Sequence, residues 1–411
     1  LKIAIGIDVV GGGVFADTES MILEVQTTGA SETFTLPLGN TSTYNFNIDW
    51  GDNSSDTITT YNDADLAHVY ADAGTYTVTL TNNQQNFGQI RFDNGGDKTK
   101  LKKIKQWGTG FTWHNFDDAF FGCSAMDIEA TDELDCTEMT SLNAGFRGCT
   151  SITTGANLVN IGAVSMKDIY TGCSSLTTVS QMSTELVTNF QGSFNGCSSL
   201  ETWPITSTAS ATGMFAIFQN CSSLVTGGDI NLSSTTGGVN TAGNIFINCS
   251  SLETVGTITL TGASFASFNY IFANCSSLTT VTFSGSLPAS CVKLDSTFRN
   301  TALTTIPDLG YGNVEDWSSA FRDSTSLNSF DFSAFDYSSA DDMGETWTGL
   351  TLLTSVYDQM IQDWSNNNVN TNVPVGAGGS KYTNSGATAT AYTDLTVTRS
   401  PAWSIADGGA V

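Results

Sequence analysis

The chain has 411 residues, of which only 13% are charged, yet acidic residues outnumber basic ones 40 to 14 and leave a formal charge of −26. That balance disfavours nucleic acid or an anionic membrane as a partner held by charge, and no apolar run reaches the ~18 residues of a membrane-inserted helix. With 40% hydrophobic residues the chain can bury a continuous core, so it is not a disordered polar protein. At the N-terminus Ile3, Ile5, Ile7 and Val9 alternate ahead of Gly11-Gly12-Gly13, which reads as a short strand and a flexible joint within an arm of residues 1–20.

From Met21 the pattern is β: Ile22, Val25, Phe34, Leu36 and Leu38, then Tyr44, Phe46, Ile48 and Trp50 in strict alternation. Asp52 is expected to accept backbone hydrogens in the turn that follows, Gly74 to supply a positive φ, and Tyr76, Val78 and Leu80 to face inward. Asp49-Trp50-Gly51-Asp52 and, downstream, His68-Val69-Tyr70 with Gly74-Thr75-Tyr76 resemble the paired signatures of a PKD-type β-sandwich, here residues 21–88. The resemblance implies a module that spaces or presents other domains and performs no chemistry.

Residues 89–110 form a basic linker and N-terminal cap, with five of the fourteen basic residues between Lys98 and Lys105. A polyanion site is one reading. The spacing of Leu101, Ile104 and Trp107 favours another, a first repeat strand at an exposed end, where lysines discourage edge-to-edge pairing.

Residues 111–356 are periodic. An aromatic residue is followed three positions later by cysteine, and usually then by Ser-Ser-Leu, at Phe120/Cys123, Phe146/Cys149, Tyr170/Cys173, Phe194/Cys197, Phe218/Cys221, Phe246/Cys249 and Phe272/Cys275. Successive cysteines lie 26, 24, 24, 24, 28 and 26 residues apart, the length of one supersecondary unit stacked on its copies. The pattern continues without cysteine at Phe298 with Leu303, Phe321 with Leu327 and Trp347 with Leu353, giving about ten coils. Equivalent residues in adjacent coils lie ~4.8 Å apart, wider than the ~3.8 Å between disulfide Cβ atoms. The seven cysteines are therefore expected as a ladder of buried free thiols, formed in a reducing compartment, and the recurrent phenylalanines as core. The array resembles leucine-rich repeats of the BspA-like surface protein type, from about residue 101 onward, with Leu327–Met343 its best single stretch.

After Val356 the period breaks. Met360, Ile361 and Trp364 fit one face of a short helix, and residues 357–411 read as a C-terminal cap.

Chemistry is sparse in the sequence. His68 and His114 lie in no nucleophile or metal motif, and no Cys-x-x-Cys occurs. Asp341, Asp342 and Glu345 are the candidate calcium carboxylates, but no loop has the alternating ligands of an EF-hand and a solvated acidic face is the expected reading. No catalytic residue, metal or cofactor is expected. The fold class is mainly β, a PKD-like β-sandwich followed by a leucine-rich-repeat solenoid. Modules of this kind imply a non-enzymatic display protein, either a tailed-phage virion component or a secreted bacterial adhesin; a glycan-active enzyme ranks below both. Reduced thiols, and a C-terminus at Asp407–Val411 without a sorting motif, tilt the reading to the virion surface. The arm and sandwich would then dock on other virion proteins, and the solenoid would meet a host glycan or protein.

Overall fold

The computed structural model describes residues 17–40, 43–82, 86–159, 161–180, 182–235, 242–328, 330, 336–368 and 370–411. The expected strand Ile3–Val9 lies outside the described residues, as does part of the Leu327–Met343 stretch. The protein is mainly β with few helices, and its greater part is a β-solenoid of about seven turns. The chain forms two compact units, Leu1–Leu186 and Val187–Val411.

The first unit opens with strands β1 (Met21–Thr27), β2 (Glu32–Thr35), β3 (Phe46–Asp49), β4 (Ser55–Ile58), β5 (Ala67–Tyr70) and β6 (Gly74–Asn82). They are followed by β7 (Asn86–Phe87), β8 (Leu101–Gln106), β9 (Thr112–Trp113) and β10 (Asp127–Ile128). Six of them make one sheet in the order β10-β8-β1-β6-β3-β4, and β2 pairs separately with β5. Register follows the period of two. Met21, Leu23 and Val25 oppose Leu80, Val78 and Tyr76, which puts Met21, Leu23, Val25, Val78 and Leu80 on one fully buried face. Each such side chain contributes about 1.5–3 kcal/mol by leaving water.

Strand β8 corrects one expectation. It is not an exposed end strand, because it lies between β1, to which it is antiparallel, and β10, to which it is parallel. Leu101 and Ile104 are buried, while Lys105 pairs with Glu24 of β1 and Lys103 with Glu129 just beyond β10. Lys100 pairs with Asp97. Three lysines of the basic run thus neutralise neighbouring carboxylates, and β8 converts an antiparallel sheet into the first parallel rung.

Parallel pairing continues in that unit with β11 (Thr154–Gly155) and β12 (Thr178–Val179), and in the second unit with β13 (Ile230–Asn231), β14 (Thr254–Thr259) and β15 (Thr280–Ser284). Opposite the strands, each coil closes through the aromatic turn. Phe246 N–H donates to Ile271 O, and Asn248 N–H to Ala273 O, both at 2.8 Å, while Cys249 N–H returns to Phe246 O within the turn. The residue before the cysteine is left-handed in coil after coil: Gly122, Gly148, Gly172, Gly196, Asn220, Asn248 and Asn274 all have φ between 63° and 79°. Glycine has no Cβ to clash there and asparagine tolerates the conformation, which explains the residue types. Aromatic rings stack from coil to coil, Phe218 on Phe246 at 5.8 Å and Phe246 on Phe272 at 5.6 Å, both nearly parallel.

Beyond Trp347 the expected leucine is misassigned. Leu350 and Leu352 are buried, whereas Leu353 is 53% exposed and precedes helix α1 (Thr354–Asn367). That helix buries Tyr357, Met360, Ile361 and Trp364. The region read as a cap also keeps the parallel ladder. Met343 bridges Val375, and β16 (Pro374–Gly376) pairs with β17 (Ser404–Ala406), with α2 (Gly386–Thr393) inserted between them. The helices lengthen the return path of the coil and so break the sequence period without ending the stack.

Candidate functional site

The cysteine ladder is structural. All nine cysteines are buried and free. The thiols of Cys149, Cys173, Cys221, Cys249 and Cys275 each donate to the carbonyl of the aromatic residue one coil back, Phe120, Phe146, Phe194, Phe218 and Phe246, at 3.0–3.1 Å. Cys123 and Cys197 occupy the same phase and are equally buried. Of the three coils that lack the cysteine, one keeps the bond: Ser324 Oγ donates to Phe298 O at 2.6 Å, whereas Thr301 Oγ1 donates to Phe298 O of its own coil and Leu350 has no side-chain donor. This equivalence was hidden because serine is not an obvious substitute for a core cysteine. The serines after each cysteine also bridge coils, as Ser277 Oγ does to Ser250 O at 2.8 Å.

The N-terminal motif residues do converge. His68 Nε2 lies 2.8 Å from Asp52 Oδ2, and its ring stacks on Trp50 at 4.8 Å. Burial pushes the Asp52 carboxyl up, but hydrogen bonds from Ser54 and His68 outweigh it and hold the group below the usual carboxylate range. Tyr70 donates to Trp50 O at 3.0 Å and stacks on Tyr76, and Asp49 accepts from Gly51 N–H. Gly74 does not have the expected positive φ; a side chain there would press on the Tyr76 ring, with a Cβ 3.1 Å from its Cζ. Asp49, Asp52, His68, Tyr70 and Tyr76 thus each make a hydrogen bond within the motif or its adjoining turns.

The calcium candidates do not form a cage. Asp342 Oδ1 accepts Gly344 N–H, and Glu345 is paired with Arg322. Among the described residues no group of three His, Cys, Asp or Glu could hold a metal ion.

What the second unit does present outward is a hydroxyl-lined sheet. In β15, and in β14 from Thr257 onward past a register shift, alternate residues point away from the core, and the parallel register sets them in rows. Thr226, Thr254 and Thr280 form one row, Thr257 and Thr282 a second, and Asn231, Thr259 and Ser284 a third. Asp229 joins the second row, because Thr257 N–H donates to its Oδ1 at 2.7 Å. At the open side of β13 the ladder is interrupted: Asn231 N–H is taken by Thr208 Oγ1 at 2.7 Å and not by a carbonyl. A shallow cleft of about 300 Å³ lies there, lined among others by Ser207, Thr208, Asp229, Asn231 and Thr257. Sequence reading missed this surface, although the alternation in Thr257-Ile258-Thr259 and Thr280-Val281-Thr282 was its signal.

No curated protein and no solved structure matches this chain. The profile of a family described as "Mycoplasma protein of unknown function, DUF285" matches residues 114–228, 140–259 and 266–385, the periodic region with its aromatic turns. As those matches together span more than half of the chain, it belongs to the DUF285 family of repeat solenoid proteins.

Proposed function

We propose that this chain is a non-enzymatic, surface-displayed structural and adhesion protein. The observation that carries this reading is where the reactive groups sit. Cysteines are buried in the stack, His68 and Asp52 are engaged with each other, and of the candidate metal carboxylates Asp342 bonds an N–H group and Glu345 a cation, while rows of hydroxyls face outward. On this reading the array runs to about ten coils, since the rings of Phe298, Phe321 and Trp347 continue the stack. The N-terminal sheet is a PKD-like β-sandwich that attaches or spaces, and the solenoid recognises.

In this proposal the chain sits on a tailed-phage virion, as a capsid decoration or a tail or fibre protein. The arm and sandwich contact other virion proteins, and the solenoid meets a host-surface glycan or protein. Nine buried free thiols suit assembly in a reducing cytoplasm. A secreted bacterial cell-surface adhesin is the second reading, favoured by a family description that names Mycoplasma. Immunogold labelling of phage particles and host cells with antibody to the solenoid separates them. Regular label on particles supports the virion role, and label confined to the cell envelope overturns it in favour of the adhesin.

A further inference from the structure

We propose that the outward face of β13–β15 binds a neutral oligosaccharide, with one sugar residue in the cleft beside Asp229 and the next lying across the threonine rows. The inference rests on the adhesion reading and names its ligand class. Chemistry selects the ligand first. The cleft is lined by hydroxyls, an amide and one carboxylate, with no lysine or arginine, on a chain of formal charge −26, so a polyanion finds no counter-charge and is repelled. The outward rows consist of Thr, Asn, Asp and Ser, which offer no apolar pocket for a lipid chain or a hydrophobic anchor.

An extended peptide adding as a strand beside β13 is also disfavoured. The N–H it would need on the open edge of β13, that of Asn231, is already taken by Thr208 Oγ1. A polyhydroxyl ligand suits both features, because sugar hydroxyls donate and accept and the protein hydroxyls rotate to match.

Geometry gives the second argument. Rows repeat at the strand separation of ~4.8 Å, and outward residues within a strand at about twice the ~3.3 Å rise. Thr257, Thr259, Thr282 and Ser284 thus form a near-rectangular grid on which consecutive sugar residues find the same partners. Asp229 is the fixed point of that grid. Its Oδ1 is held by Thr257 N–H, and Gly256 packs so close that a Cβ there would come within 2.4 Å of the same oxygen. Asp229 Oδ2 takes no protein hydrogen bond among the described residues, and a carboxylate oxygen accepting from a sugar hydroxyl makes the stronger, charge-assisted kind of bond.

The test uses the purified full chain and saturation-transfer NMR with cello-, malto-, xylo- and chito-oligosaccharides, and a heparin oligosaccharide as the anionic control. One neutral oligosaccharide is expected to bind at about 1 mM or tighter. Thr257→Val with Thr282→Val, which keeps side-chain shape, and separately Asp229→Asn, should each weaken it about tenfold with the melting temperature unchanged. Absence of binding to every neutral probe, binding to heparin alone, or equal binding by the double valine variant overturns the proposal. An adhesion assay with the same proteins separates the two levels. Wild type that adheres together with an equally adherent valine variant sinks this site alone, and wild type that does not adhere sinks the adhesion reading itself.

Discussion

The left-handed residue before each cysteine gives a clean energetic test at Gly148. Its φ is +71°, and a Cβ built there would meet nothing nearer than Gly122 Cα at 3.8 Å, an ordinary contact. Gly148→Ala therefore adds no clash, and its cost is the conformation alone, about 1–2 kcal/mol for a left-handed L-residue. The loss of unfolded-chain freedom offsets roughly 0.4–1 kcal/mol of that, leaving a net destabilisation of about 1 kcal/mol. Gly148→Asn should cost less than Gly148→Ala, because asparagine already occupies this phase at Asn248 with φ 66°. Gly378→Ala is the contrasting case: φ is +59°, but the new Cβ would lie 2.4 Å from Leu350 O, so strain and clash add and the cost should exceed that at Gly148 by a wide margin. Urea unfolding followed by circular dichroism, with midpoints compared at constant slope, measures all three. If Gly148→Ala matches wild type, or destabilises no more than Gly148→Asn, the conformational explanation of the Gly/Asn column is wrong.

Phe246→Ala should cost about 3–5 kcal/mol, since the ring is fully buried and stacked on both sides, and Phe246→Leu should cost less than half as much in the same urea assay. Cys249→Ser should stay within about 1 kcal/mol of wild type, because Ser324 makes the equivalent bond to the ring residue one coil back; a loss comparable to Phe246→Ala would contradict that role. Burial pushes the thiols of Cys173, Cys249 and Cys291 up to about 12, so native protein at pH 8 should not react with a disulfide reagent, and all nine thiols should titrate on unfolding. Asp52 has a folded pKa below its ordinary 3.8, so its contribution is complete above the unfolded value and is lost as the pH falls through the lowered folded one. Asp52→Asn should flatten the acid limb of a stability–pH profile, and an unchanged limb would show that the His68 and Ser54 contacts carry no such linkage.

Much of the solenoid was legible along the chain because a repeat is local information. Phe194, Phe218, Phe246 and Phe272, with Leu200, Leu224, Leu252 and Leu278, recur at fixed phase and are all fully buried. Other features were written in more than one residue type and so escaped a pattern search. The turn position accepts Gly, Asn or Asp because each tolerates positive φ, and the hydrogen bond of the cysteine is equally available to serine. Leu353 kept the leucine spacing yet lies outside the core, because α1 begins immediately after it.

The sequence by itself determined the period, the core phases of each coil and the free state of the thiols, since these depend on side-chain volume and spacing within one repeat. Only the tertiary structure decided which residues become neighbours across coils. It put β8 inside the first sheet, aligned Thr257 with Thr282 and Asp229, and opened the cleft where Thr208 Oγ1 replaces a ladder carbonyl. The reason is that backbone hydrogen bonds between segments some two dozen residues apart set the register, and a shift of one residue would turn every outward hydroxyl inward.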